Sequence, residues 1–272
     1  MESVEYVKPD FPRNAFAGTA ADYVRFRLPY PGAMLRDLLD RSGARSGARL
    51  LDLACGPGRV TLPLAPHFRE VSAVDLEPEM LATGKQEAAR QGLHHIAWLH
   101  GRAEEVRFPP AWFDLITIGE AFHRLDQEVV ARQAFEWLRP GGCLALLGSH
   151  GVFSGEEPWQ KAIADVVRRR TDRNAAAASR PVPGSSPEHF IRVLWNAGFV
   201  EVANHTFVEP HQWTVETILG NLYSTSVCSR RLLGDETAAF AAEVAAALHP
   251  YSPDGRYTEN VRFGYTLGKR PA

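Results

Sequence analysis

The stretch Leu50-Leu51-Asp52-Leu53-Ala54-Cys55-Gly56-Pro57-Gly58-Arg59 sets the strongest limit on how this chain folds. An apolar run ends in a glycine-rich turn, and helical sequence follows. Such a run reads as a buried parallel strand that delivers a loop to the carboxyl edge of a sheet, where open α/β folds bind ligands. Gly56 and Gly58 lack Cβ atoms, so the backbone there turns sharply and approaches a ligand closely. Taken alone, the turn also fits an ordinary strand-to-helix connection. Asp52 interrupts the apolar strand, and a carboxylate there is costly unless backbone donors or a ligand satisfy it.

The next segment narrows the choice. Glu70-Val71-Ser72-Ala73-Val74-Asp75 reads as a second strand ending in an acid, nineteen positions after Gly56. An acid at that spacing suits hydrogen bonds to ribose hydroxyls. The third glycine of a dinucleotide fingerprint is missing, and Thr61 holds its place. The turn is therefore a poor pyrophosphate cradle. It disfavours NAD and suits a nucleoside without phosphates.

Leu-Asp-Leu-Ala-Cys-Gly-Pro-Gly at 51–58 resembles motif I of the class I S-adenosylmethionine-dependent methyltransferases, in their small-molecule, natural-product branch (methyltransferase type 11-like). Asp75 stands where that family has its ribose acid. Gly101-Arg102-Ala103-Glu104 is similar to its segment after the third strand. Phe113-Asp114-Leu115-Ile116 is similar to its fourth strand, and Leu138-Arg139-Pro140-Gly141-Gly142 to its turn before the fifth. Ala54 departs from the pattern, which commonly has glycine there. The resemblance implies a Rossmann-like, doubly wound α/β fold. Its sheet has seven mostly parallel strands in the order 3-2-1-4-5-7-6, the last antiparallel, with helical lid insertions. It implies S-adenosylmethionine as cofactor and S-adenosylhomocysteine as product. The cofactor-binding positions expected on this basis are Arg27, Asp52, Ala54, Cys55, Gly56, Gly58, Asp75, Leu76, Met80, Ala103, Glu104 and Gly119. In this reading Ala103 and Glu104 meet the adenine edge, which offers one acceptor and one donor.

The resemblance also extends to the acceptor side. Tyr23-Val24-Arg25-Phe26-Arg27-Leu28-Pro29-Tyr30-Pro31 is similar to a family segment that lies across the cofactor site, with Leu28 in place of a proline. There Arg27 is expected to pair with the methionine carboxylate and Tyr23 to face the methyl group. Glu120-Ala121-Phe122-His123 follows the fourth strand, where relatives carry an Ala-Phe-His-Trp segment, but Arg124 replaces the tryptophan. His123, Glu120 and Tyr23 are the expected catalytic residues, with His123 as proton acceptor because histidine titrates near neutral pH. Phe122, Trp213 and Tyr223 are the expected substrate wall. Leu222-Tyr223-Ser224-Thr225-Ser226 resembles a Tyr-Ser-Thr-Ser segment of small-molecule members. The expected reaction is methyl transfer to an N, O or C nucleophile of a small molecule, in natural product biosynthesis. Two alternatives stay open: a pericyclase or lyase of the same fold that uses the cofactor structurally, and a cofactor-binding regulator.

Composition removes other classes. The chain has 272 residues and a formal net charge of −2, from 30 basic and 32 acidic side chains. Its one basic cluster, Arg168-Arg169-Arg170, reads as a solvated helix face, so nucleic acid is not an expected partner. Three separated cysteines, Cys55, Cys143 and Cys228, fit neither a disulfide framework nor a metal site, and point to a reducing cytoplasm. Met1-Glu2-Ser3-Val4-Glu5 is polar and acidic, unlike a signal peptide. No apolar run reaches the length of a membrane span. The expected state is a monomer or homodimer.

A single domain is expected over 1–272. It divides into an N-terminal cap at 1–45, a cofactor-binding core at 46–150, lid insertions at 151–198 and 209–256, and a last strand at 257–272. Within it, residues 1–22 read as an irregular lead-in, 33–41 and 127–138 as helices, 172–186 as a loop and 199–208 as strand six. Helices are expected at 59–65, 158–170, 187–196, 214–222 and 234–248.

Overall fold

The computed structural model describes residues 14–45, 47–152, 155–173 and 184–272. Most of the expected lead-in and the centre of the 172–186 loop lie outside the described residues. The described chain runs α1 (Ala20–Phe26), α2 (Gly32–Ser42), β1 (Arg49–Leu53), α3 (Thr61–Leu64), β2 (Glu70–Asp75), α4 (Pro78–Arg90), β3 (Ile96–His100), β4 (Phe113–Gly119), α5 (Gln127–Trp137) and β5 (Leu138–Ser149). It continues through α6 (Pro158–Arg173), α7 (Pro187–Asn196), β6 (Val200–Thr214), α8 (Val215–Tyr223), α9 (Arg230–Leu233), α10 (Thr237–Leu248) and β7 (Arg256–Lys269).

The strands form one sheet in the order β3-β2-β1-β4-β5-β7-β6, as expected. The first five pair in parallel, and β7 runs antiparallel between β5 and β6. β1 and β4 are buried on both faces, which is why their sequences are near-continuous apolar runs. One apolar cluster, around Met34, Leu38, Leu50, Leu64 and Tyr265, fills one side of the sheet. A second, around Leu51, Ile116, Val130, Trp137 and Leu194, fills the other.

Three expectations are corrected. Ala20–Phe26 is helical, so the irregular lead-in expected over 1–22 gives way to a helix at Ala20. α3 is a single turn rather than a helix over 59–65: Pro63 and Pro66 lack N–H donors, and the chain passes into a 3-10 turn at Ala65–His67. β6 does not stop at Val208. It continues to Thr214, paired residue by residue with β7 from Ala203–Leu267 to Thr214–Arg256. The extension is an edge strand carrying Pro210, which an edge tolerates because its N–H is not needed for pairing.

The long hairpin carries a third apolar cluster beyond the sheet edge. Trp159, Ile163 and Val166 of α6 pack there with Trp213, Ile218 and Leu222 and with Phe240 and Val244 of α10. α1 lies against this helical layer. Arg25 pairs with Glu216 at 2.8 Å, Arg230 with Asp22 at 3.0 Å, and Asn221 Nδ2 donates to Phe26 O at 3.3 Å.

Candidate active site

Three strand ends converge where the parallel sheet opens. β1 leads into the turn Ala54–Gly58, β2 ends at Asp75, and β4 ends at Gly119. Ala54 and Glu120 are left-handed, with φ of +53° and +55°, although neither is glycine. Such backbone costs a residue with a Cβ about 1–2 kcal/mol, and strain of this kind concentrates at functional sites. At Ala54 the glycine-like conformation survives the departure from glycine.

The Asp75 carboxylate accepts from the Gly56 N–H at 2.7 Å and from the Glu77 N–H at 2.8 Å. The acid of β2 therefore holds the glycine turn of β1. Burial raises its pKa, and the backbone N–H donors of Glu77 and Gly56 oppose the rise. Asp52 is fully buried and accepts from the hydroxyls of Thr61 at 2.5 Å and Thr117 at 2.8 Å. Burial pushes its pKa up to about 6 against those two donors. Those hydroxyls answer the cost of a carboxylate inside an apolar strand.

Ala54, Gly56, Asp75, Leu76, Met80, Ala103, Glu104 and Gly119 line one cleft of about 170 Å3. Glu104 accepts from the Asp126 N–H at 3.1 Å. Asp52 and Cys55 do not reach this cleft. They border a small annex with Tyr23, Tyr30, Arg59 and Gly119. Gly58 is outside it too. A Cβ on Gly58 would lie 2.9 Å from Leu62 and 3.1 Å from Trp98, so this glycine serves close packing beneath the turn.

A second cavity, of about 610 Å3, lies beside the cleft. Phe16, Tyr23, Glu120, Ala121 and Arg124 line both, so the two spaces meet at these residues. Phe122 and His123 line the larger cavity, with Phe122 edge-on to Phe190. Trp213 and Tyr223 were expected in this wall, and here the expectation is corrected. Trp213 is 2% exposed and Tyr223 4%, both packed inside the helical layer. Trp213 donates to Glu259 at 2.7 Å, and the Arg230 guanidinium covers the Tyr223 ring at 4.0 Å. Apolar demand from the helical layer claims both rings. The neighbouring Thr225 and Ser226 line the cavity instead.

The expected proton acceptors are engaged. The Nε of Arg124 donates to the Nε2 of His123 at 3.1 Å. Burial, reinforced by the Arg124 guanidinium, lowers the His123 pKa to about 4, so the imidazole is neutral at physiological pH. The Glu120 carboxylate accepts from the Ser149 hydroxyl at 2.5 Å and lies 3.7 Å from Nη1 of Arg59. Arg27 donates from Nε to the Ser224 hydroxyl at 2.8 Å, with its guanidinium 5.2 Å from the centre of the Tyr23 ring.

Sequence reasoning missed Arg59. Its Nε donates to Leu28 O at 2.6 Å and its guanidinium lies 4.2 Å over Tyr30. Its Nη1 is buried and has no hydrogen-bond partner among the described residues, and neither has the buried Tyr30 hydroxyl. The available signal was an arginine placed between the glycine turn and the apolar run Val60–Leu64.

The methyltransferase-domain family matches residues 50–142. The chain is 30% identical to nocamycin O-methyltransferase of Saccharothrix syringae over 87% of its own length and 91% of that protein's. It spans about half the length of the demethylmenaquinone methyltransferases it matches, with 30% identity to that of Geobacillus stearothermophilus over 41% of this chain and 50% of that protein. Its fold is similar to that of the YcgJ protein of Bacillus subtilis (TM-score 0.59, 17% identity, 89% of this chain and all of that one). It is also similar to phosphoethanolamine N-methyltransferase 2 of Haemonchus contortus, solved with S-adenosylhomocysteine (TM-score 0.55, 18% identity, 93% of this chain and 57% of that one). With its sheet order, its Asp75-braced glycine turn and near full-length similarity to an O-methyltransferase, the chain belongs to the S-adenosylmethionine-dependent methyltransferases.

Proposed function

We propose that this protein methylates an oxygen of a small molecule in natural product biosynthesis. The observation that carries this reading is the junction of the two cavities at Tyr23, Glu120, Ala121 and Arg124, which gives a nucleoside-sized cleft direct access to a larger acceptor space. The similarity to a small-molecule O-methyltransferase over nearly its full length supports oxygen as the nucleophile.

The cofactor supplies an electrophilic methyl group on a sulfonium. The residues of this chain fit it. Asp75 takes the ribose hydroxyls, Leu76 and Met80 wall the adenine, and Ala103 and Glu104 read its edge. At the other end, the Nη1 of Arg59, which faces Glu120 at 3.7 Å but makes no hydrogen bond among the described residues, and the Tyr30 hydroxyl, which makes none either, suit a carboxylate. In this reading Arg59 replaces Arg27, whose Nε is committed to Ser224. A charge-assisted hydrogen bond there contributes roughly 1.5–3 kcal/mol.

Alignment is the larger part of catalysis, worth roughly 7–11 kcal/mol. Tyr23 and Phe16 hold the junction, and α1 with the helical layer of α6, α8, α9 and α10 covers the acceptor and excludes water. His123 acts here as a neutral hydrogen-bonding wall rather than as a base. The test is incubation with methyl-labelled S-adenosylmethionine and a panel of hydroxylated and acidic natural-product precursors. Label recovered as methyl ether or methyl ester supports the reading. Recovery only on nitrogen or carbon, or none with any acceptor, overturns it.

A further inference from the structure

We propose that the acceptor is a planar ring system that lies on sheet backbone left bare at Gly148, and that Gly148 decides which acceptors the enzyme takes. The inference rests on the methyltransferase reading and deepens it. Gly148 lies inside β5, in unbroken register with β7 from Leu147–Tyr265 through Gly148–Gly264 to Ser149–Phe263. Interior strand glycines mark a bulge, a bend, or a close approach by another backbone or a ligand. No bulge occurs at this pair, the φ of Gly148 is not positive, and a Cβ there would meet nothing within 4 Å. Gly43, Gly56, Gly92 and Gly141 have equal room, but their positive φ accounts for the glycine. At Gly264 a Cβ would lie 2.8 Å from His205 O, so the approach of β6 accounts for that one. Among the described residues nothing accounts for the glycine at 148, and it lines the acceptor cavity.

The register gives the shape of that space. Paired residues point to one face of a sheet, and residues two apart on a strand share it. Leu146, Thr266 and Asn204 therefore form one row across β5, β7 and β6, and Gly148, Gly264 and Thr206 form the next. All six line the cavity. The second row carries no side chain until Thr206 at the sheet edge, so it forms a trough beside the Leu146 row. The trough starts at the junction with the cofactor cleft, because Leu147 O, one residue before Gly148, accepts from the Glu120 N–H at 2.9 Å. Leu146 belongs to the apolar cluster that holds Phe122, and Phe190 packs against that cluster. Both rings line the cavity from the face that Gly148 leaves bare. A flat ring keeps van der Waals contact with exposed backbone over its whole face and meets aromatic neighbours well at its edge.

A second observation calls for a ligand in the same cavity. Asn221 lines it and is 5% exposed. Its Nδ2 donates to Phe26 O at 3.3 Å, which fixes the orientation of the amide, and its Oδ1 accepts from none of the described residues. A buried carbonyl oxygen without a donor costs free energy. A hydroxyl or N–H on the bound ring supplies one.

The test is calorimetric titration of the full chain, saturated with S-adenosylhomocysteine, with 2-naphthol and with trans-decahydro-2-naphthol. The two share a bicyclic frame and a hydroxyl and differ in flatness. 2-Naphthol is expected to bind at least about tenfold more tightly, the contact of roughly two buried CH2 groups. Gly148→Val puts a branched side chain into the trough and should weaken 2-naphthol at least about tenfold, and Gly148→Ala at least about threefold. Gly148 does not line the cofactor cleft, so both variants should keep their affinity for S-adenosylhomocysteine, which reports that they are folded. Should Gly148→Val lose that affinity, Gly148→Ala decides. Equal affinity of the wild type for the two alcohols, no binding of 2-naphthol at millimolar concentration, or undiminished binding by the folded variants overturns the proposal. S-adenosylhomocysteine is titrated first in the same sample. Its failure to bind the wild type would strike the methyltransferase reading, while the comparison of the two alcohols, repeated without it, still decides the ring site.

Discussion

Arg124 donates from its Nε to the Nε2 of His123 at 3.1 Å, so the lone pair that a base would use is occupied by a cation. The first expected outcome is kinetic. Loss of a general base lowers turnover about 10²–10⁴-fold. His123→Gln, which keeps a polar side chain, should lower kcat by less than about tenfold, with the pH profile between 6 and 8 unchanged. Labelled-methyl transfer over that range measures it. A loss of 10²-fold or more that deepens at low pH would restore the histidine as proton acceptor.

The same burial has a signature in stability. The folded pKa of His123 is lowered from 6.5 to about 4, so the unfolded chain takes up its proton first as pH falls. Between pH 7 and 5 this group alone removes about 2 kcal/mol of stability. Asp52 works in the opposite sense. Its folded pKa is raised from 3.8 to about 6, so protonation in the folded state returns about 1 kcal/mol over the same interval. His123→Gln should therefore be less acid-labile than the wild type, and Asp52→Asn more so. Thermal melts at pH 7 and 5 give the three differences. Identical slopes for all three proteins would contradict both shifts.

Arg59 makes a prediction about part of a ligand. Arg59→Gln should weaken S-adenosylhomocysteine by about 10–150-fold, corresponding to roughly 1.5–3 kcal/mol for a charged hydrogen bond. It should leave 5′-methylthioadenosine, which lacks the amino acid end, within about threefold. Calorimetric titration of both ligands separates the ends of the site. Equal weakening of the two would mean that Arg59 acts by holding the fold.

Gly220 sits where α8 meets α1. A Cβ there would lie 2.2 Å from Cγ of Phe26. Gly220→Ala should cost about 1–3 kcal/mol by overpacking, read as a fall in Tm. It should also weaken S-adenosylhomocysteine several-fold, because α1 carries Tyr23 at the junction of the two cavities. Gly148→Ala, whose Cβ would meet nothing within 4 Å, is the control for stability and should leave Tm unchanged.

The core was legible because its physics is local. Leu50–Leu53 and Phe113–Gly119 are buried on both faces, so their apolar runs stand out, and the glycine turn and Asp75 mark where they end. Adenine-side positions from Ala54 to Glu104 meet in one cleft because parallel strands deliver their ends to one edge. The rest depended on neighbours that are distant in sequence. Asn204-His205-Thr206 read as strand and are one, but Glu209-Pro210-His211-Gln212 look like loop, yet they form an edge strand because β7 is there to pair with them. Trp213 and Tyr223 looked like substrate walls until α10 claimed them for packing. Arg59 became readable only once Tyr30 and Glu120 surrounded it.

The hairpin of β6 and β7 has a mechanical consequence. Its rungs run in one register from Ala203–Leu267 beside the core to Thr214–Arg256 under the helical layer. β7 is also stitched along β5, the strand next to the centre of the sheet. The roof of the acceptor chamber is therefore cast in one piece with the floor, and swinging it aside would require tearing that seam. α1 has no such root. It is fastened through side chains, by the ion pairs Arg25–Glu216 and Arg230–Asp22, by Asn221 donating to Phe26 O and by Phe26 packed against Gly220. Among the described walls, α1 is the one whose displacement would break no pairing of the sheet.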